Sequence, residues 1–162
     1  MKLNIIGTSA LAFCLSVSLP AFAEISEGDS EVAASFSVSM PDEGEDTTMF
    51  IGSYGVMMSD TLQAEAGLFY AESGGTSFGQ LSLGGEFYPA PRAELMPYLG
   101  AGYALSIGDF DDSDFFNIRA GVKTFVSEST TVFAELIRLE AVDSDFSDFG
   151  QTQMLVGFSV FF

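Results

Sequence analysis

The sequence predicts an all-β protein, an eight-stranded antiparallel up-and-down transmembrane β-barrel. Three observations carry this. Apolar residues recur at alternate positions in eight segments of about ten residues, the length of a tilted strand crossing a bilayer. Beyond residue 23 no apolar run approaches the ~18 residues that a membrane-spanning helix needs. Turn formers separate the segments, and acidic residues gather in alternate connections.

The first 23 residues read as a cleaved signal peptide. Lys2 supplies the positive start, an apolar stretch runs from about Ile5 to Val17, and Ala21-Phe22-Ala23 forms a small-residue cleavage site before Glu24. A membrane anchor fits less well, because Gly7, Thr8, Ser9, Ser16 and Ser18 interrupt the run and Pro20 ends it. A lipoprotein signal at Cys14 would place the bulky Phe13 before the cysteine. The chain therefore divides into 1–23, the signal, and 24–162, the barrel domain. Cys14 is the one cysteine, so the mature protein would carry no disulfide and no thiolate site.

Successive side chains of a strand point to opposite faces, so alternation marks a strand with one apolar face. The first segment sets Val32, Ala34, Phe36, Val38 and Met40 against Ala33, Ser35, Ser37 and Ser39. The second, about 48–58, sets Phe50, Tyr54, Val56 and Met58 against Ser53 and Gly55. The third, about 62–71, sets Leu62, Ala64, Ala66, Leu68 and Tyr70 against Gln63, Glu65 and Gly67. The fourth, about 79–88, sets Leu81, Leu83 and Phe87 against Gln80, Ser82, Gly84 and Glu86. The fifth, about 97–106, sets Leu99, Ala101, Tyr103 and Leu105 against Tyr98, Gly100, Gly102 and Ser106. The sixth, about 116–125, sets Phe116, Ile118, Ala120 and Val122 against Asn117, Arg119, Gly121 and Lys123. The seventh, about 131–141, is the weakest, since Val132, Phe133, Leu136 and Ile137 would also suit a helix. The eighth sets Met154, Val156, Phe158, Val160 and Phe162 against Gln153, Leu155, Gly157, Ser159 and Phe161.

The second face decides the surroundings. A soluble barrel would turn its apolar face inward and show the other to water, where surfaces are typically about 25–35% charged. Here the second face is mostly Ser, Gly, Ala and Gln, with Glu65, Glu86, Arg119, Lys123 and Glu135 as its few charges. That composition suits a narrow interior, with the apolar face on lipid and no open edge in hydrocarbon. Connections one, three, five and seven (about 41–47, 72–78, 107–115 and 142–150) hold most acidic residues. Connections two, four and six hold Asp60, Glu94 and Glu128. An up-and-down barrel puts the odd connections at one rim, so long acidic loops are expected there and shorter turns at the other.

These features resemble the small eight-stranded outer-membrane barrels of Gram-negative bacteria, the OmpA/OmpX-like "porin family". The chain's last strand ends in Phe162 with Val160, Phe158 and Val156 at alternate positions. That ending is similar to the family's signal for the barrel-assembly machinery. Pro97-Tyr98-Leu99-Gly100-Ala101-Gly102-Tyr103 is similar to a strand start common in the family. The resemblance implies an outer-membrane location, contact with membrane lipid and lipopolysaccharide, handling by the assembly machinery, and a monomer without cofactor.

Composition excludes several functions. The chain has 5 basic and 23 acidic residues, a net charge of −18, which disfavours nucleic acid. It has no histidine, so His-ligated metal, a Ser-His-Asp triad and a histidine base are excluded. Small membrane-embedded enzymes of this kind rely on such a base, so a non-enzyme is expected. Glu65, Glu86, Arg119, Lys123 and Glu135 are expected to form a lumen charge network, as a structural plug or as a channel gate. Asp109, Asp111, Asp112, Asp114, Asp143, Asp145 and Asp148 form an acidic rim, either solvated or holding a divalent cation or partner. Phe110, Phe115, Phe146 and Phe149 suit an interfacial girdle. Arg138, near that rim, could meet lipid phosphate. The leading expectation is a structural or surface-interaction role. The alternatives are a small-solute channel and a soluble periplasmic lipid-binding barrel.

Overall fold

The computed structural model describes residues 24–39, 47–73, 76–107, 114–142 and 150–162. Among them run β1 (Ser30–Ser39), β2 (Thr47–Ser59), β3 (Leu62–Ser73), β4 (Thr76–Phe87), β5 (Met96–Ile107), β6 (Asp114–Phe125), β7 (Thr130–Ala141) and β8 (Gly150–Phe161). Each strand pairs antiparallel with its sequence neighbours, and β8 pairs with β1 to close the barrel. The seam continues past β8. The Ser30 and Phe162 backbones exchange two hydrogen bonds, each 2.9 Å. The proposed signal peptide lies outside the described residues.

Alternation sorts the side chains as the sequence implies. Phe36, Tyr54, Met58, Leu68, Leu83, Leu99, Ile118 and Phe158 stand exposed on the outside of the wall. Leu83 is the extreme, at 70%. Their neighbours Ser35, Gln63, Gln80, Glu86, Asn117 and Lys123 are buried inside. The seventh segment is a strand despite its mixed period. Phe133, Glu135 and Ile137 share its inner face, and Leu136 stands outside.

Four details differ from the sequence reading. The interior is not uniformly small and polar. Met49, Phe69, Ala71, Ile137, Leu139 and Leu155 form an apolar cluster toward the odd-connection rim. Ile25, Met57, Tyr88, Met96, Tyr98, Phe125 and Phe161 form another at the opposite end. Near each mouth both faces of a strand are apolar, so the period-2 contrast that marks an interior fades there. The rims are also less asymmetric than expected. Ser73 pairs with Thr76 across the third connection, and β4 and β5 are joined by the longer segment 88–95 on the other rim. Glu72 and Asp114, placed in loops from sequence, belong to strands, because ladder pairing extends through them. Finally, Phe115 does not join a girdle. It shares the inward parity of buried Asn117, whereas Phe50, Tyr70, Tyr103 and Phe116 face outward near that rim. Phe110, Phe146 and Phe149 lie outside the described residues.

The segment before β1 also has a structural part. Gly28 takes a positive φ of 93°, a conformation that L side chains rarely adopt. Its N–H donates to the Met57 carbonyl at 2.9 Å. The resulting turn brings Ile25 to the barrel mouth, where it is 1% exposed and packs in the cluster with Met57 and Phe161.

Candidate functional site

A layer of charge lies between the two apolar clusters. Its centre is β6, where Arg119 and Lys123 sit four residues apart and so share the inner face. Lys123 Nζ donates to Glu31 Oε1 at 2.8 Å and Oε2 at 2.9 Å, and to Glu86 Oε2 at 3.0 Å. It also donates to the Tyr88 hydroxyl at 2.7 Å, which in turn donates to Glu86. The ammonium lies 4.9 Å from the Tyr98 ring centroid, within cation–π range. Arg119 Nη2 donates to Glu65 Oε1 at 2.7 Å, and its Nε stands 3.6 Å from Glu86 Oε1.

The network reaches strands that are not sheet neighbours. From β6 the two cations contact β1, β3 and β4 across the lumen. Three carboxylates, Glu31, Glu65 and Glu86, meet these two cations among the described residues. Glu135 is held differently, by a hydrogen bond from the Tyr98 hydroxyl at 2.9 Å. Buried charges need such partners, because desolvation costs more than an isolated charge can recover. Tyr88 lies one residue beyond β4.

Glycines make room for the layer. A Cβ on Gly100 would strike the Arg119 side chain, and one on Gly121 would lie 2.5 Å from the Tyr98 ring and 2.7 Å from the Ala134 carbonyl oxygen. Among the described residues the lumen holds small cavities of about 20 and 40 Å³. Both touch Glu65, Arg119 and Glu135, so each is of water size and the charge layer lies between them.

The structure thus brings together Glu65, Glu86, Arg119, Lys123 and Glu135. Sequence reasoning missed Glu31, Gln63 and Tyr88 as partners. Gln63 Nε2 donates to Glu31 at 2.7 Å. The alternation that begins at Val32, carried back one residue, would have turned Glu31 inward. Tyr88 likewise shares the parity of Glu86. Val156, Phe158, Val160 and Phe162 stand exposed on the outer face beside the seam. Of the acidic rim, Asp114 is described, and it accepts a hydrogen bond from the Tyr103 hydroxyl at 2.5 Å. Asp109, Asp111, Asp112, Asp143, Asp145 and Asp148 lie outside the described residues. Among the described residues no group of three or more His, Cys, Asp or Glu side chains could hold a metal ion.

The chain is a closed antiparallel barrel of eight strands with an ion-paired layer in its lumen. Solved structures agree. The N-terminal β-barrel domain of Pseudomonas aeruginosa OprF superposes with a TM-score of 0.66 at 18% identity, over 84% of this chain and 98% of that one. A de novo designed transmembrane β-barrel superposes with a TM-score of 0.57 at 18% identity, over 86% of this chain and 99% of that one. At such identity the likeness is one of fold. No family model and no curated protein matches the chain.

Proposed function

We propose that this chain is an integral outer-membrane β-barrel of a Gram-negative bacterium, secreted with a cleaved signal peptide. In this reading it is a non-enzymatic monomer with a structural or surface-interaction role. The observation that carries it is the outer wall. Large apolar side chains line it, including Leu83, Met58, Leu99 and Phe158, while the charges of the strands concentrate inside. A wall of that kind in water would be an aggregation site, and in lipid it is the favourable surface. It suits a solvent of membrane lipid and lipopolysaccharide. The outward Val156, Phe158, Val160 and Phe162 suit recognition by the barrel-assembly machinery. The long acidic loops would then lie outside the cell.

The lumen supports a structural role over a conducting one. Apolar clusters lie toward both ends and the ion-paired layer spans the middle, which favours a plugged interior. A small-solute channel is the second reading, favoured by the small cavities that the Arg119–Glu65 pair lines. Two measurements decide. Refolded protein in detergent should show heat-modifiable gel mobility, and unchanged mobility would point to the soluble alternative. In planar bilayers it should give no unitary conductance. Reproducible single-channel steps would move the assignment to the channel.

A further inference from the structure

The chain has five basic residues, and their placement is uneven. Arg119 and Lys123 lie in the lumen, Arg92 lies in segment 88–95 paired with Glu24, and Lys2 is outside the described residues. Arg138, on β7, is thus the one cation on the outer face of a strand among the described residues. It stands level with Ile118 on β6 and Thr152 on β8, three residues from the strand's end at Ala141. The next row toward that rim carries Tyr103, Phe116 and Glu140. An arginine at this height in a bilayer would sit near the headgroups, where its cost is far below that at the midplane.

The wall beside it is not smooth. Ala120 lies between the exposed Leu99 and Leu136 in the adjoining row. The small side chain leaves an outer groove of about 380 Å³, which runs up to Arg138 and Thr152. Arg138 Nε and Nη2 each lie 2.6 Å from Glu140 Oε1, and Nη1 donates to the Thr152 hydroxyl at 3.2 Å. These contacts engage three of its five N–H groups. One further N–H remains on each of Nη1 and Nη2, a fork suited to two phosphate oxygens.

We propose that this is a docking site for a phosphate-bearing membrane lipid. The phosphate sits on Arg138 and Thr152, and one acyl chain lies in the groove over Ala120. Charge complementarity selects the headgroup, since Arg138 is the one outward cation among the described residues and keeps two N–H donors beyond those that Glu140 and Thr152 engage. Glu140 competes with the phosphate for the guanidinium and keeps the site weak. The proposal rests on the membrane reading above.

The test uses the full refolded chain in a neutral detergent, with bound lipid counted by native mass spectrometry. Probes are phosphatidylglycerol, diacylglycerol of the same chains, and inorganic phosphate. Phosphatidylglycerol should bind in preference to both others. R138Q should bind it roughly fivefold more weakly. A120F, which fills the groove, should also weaken it, and E140Q should tighten it. Heat-modifiable mobility establishes that each variant is folded. Equal binding by R138Q, or equal retention of diacylglycerol, would overturn the site. Insertion of the wild type into phosphatidylglycerol vesicles is scored separately. An inserted barrel with an indifferent R138Q loses the lipid site alone, whereas failure to insert removes the membrane reading with it.

Discussion

Lys123 on β6 and Glu31 on β1 are joined through the barrel interior, the ammonium donating to both carboxylate oxygens at 2.8 and 2.9 Å. The two strands are not adjacent in the sheet, so this pair fastens the wall across the lumen. Both side chains are almost fully buried, 2% exposed each, and water cannot replace either partner cheaply. Breaking such a pair from one side typically costs about 3–5 kcal/mol. Lys123→Ala should therefore lower stability by roughly that amount in urea unfolding in detergent. Val122→Ala, on the opposite face of the same strand, should cost less than about 1 kcal/mol, since lipid or detergent fills the space. Equal stability of Lys123→Ala and wild type would remove the plug from the account.

The carboxylates should not be equivalent. Glu86 faces both Lys123 and Arg119, so Glu86→Gln should destabilise by roughly 3 kcal/mol. Glu135 is bonded to the neutral Tyr98 hydroxyl, which can donate equally well to an amide carbonyl. Glu135→Gln should cost under about 1 kcal/mol. The same unfolding measurement ranks the two, and the reverse order would contradict the assignment of partners.

Glycine positions offer a steric test. A methyl group at Gly121 meets the Tyr98 ring and the Ala134 carbonyl oxygen, the second of which is backbone and cannot swing away. Gly121→Ala should cost about 1–3 kcal/mol through overpacking. Gly52→Ala is the control, because its Cβ would meet only the Phe50 ring, at 3.5 Å, an ordinary contact. Thermal shifts of heat-modifiable mobility would read both.

Sidedness can be read by labelling. Single cysteines at Glu43, Asp111 or Asp145 should react with an impermeant thiol reagent on intact cells. Cysteines at Asp60, Pro91 or Ser127 should react only after the outer membrane is opened. The native Cys14 lies in the segment expected to be cleaved, so it would not interfere. Reaction at Asp60 but not Asp111 would invert the topology.

Deletion of Phe162 should lower the yield of folded barrel in cells. The residue is 70% exposed, so little packing is lost, but its backbone bonds to Ser30 extend the closing seam. Refolding in detergent should suffer less than assembly in cells. An unchanged cellular yield would argue against an assembly signal.

Much of the wall was legible because period 2 is a local property. Leu62-Gln63-Ala64-Glu65-Ala66 states its two faces without reference to any other strand. The lumen charges followed from the same parity. The errors lie where parity loses contrast or the chain leaves the ladder. Met57 and Met58 are both apolar, yet one is 1% and the other 60% exposed. Tyr88, one residue past β4, still keeps the inward parity of Glu86, whereas Ile25 reaches the interior through a turn at Gly28 and could not be placed by counting along a strand.

By itself the sequence determined that the chain alternates, how many times it does so, and which face of each strand is apolar. These follow from the fixed two-residue repeat of a strand, which no partner can alter. Tertiary structure decided who meets whom. Arg119 could have faced Glu86, Glu135 or Glu65 from its position on β6, and the stagger of the closed sheet brings it to 2.7 Å from Glu65. It likewise sets Arg138 beside Thr152 and above the hollow at Ala120, residues brought level by register alone. Pairing of neighbouring strands suffices for the outer wall, but closure fixes the register around the whole ring, so the contacts across the lumen depend on the closed barrel.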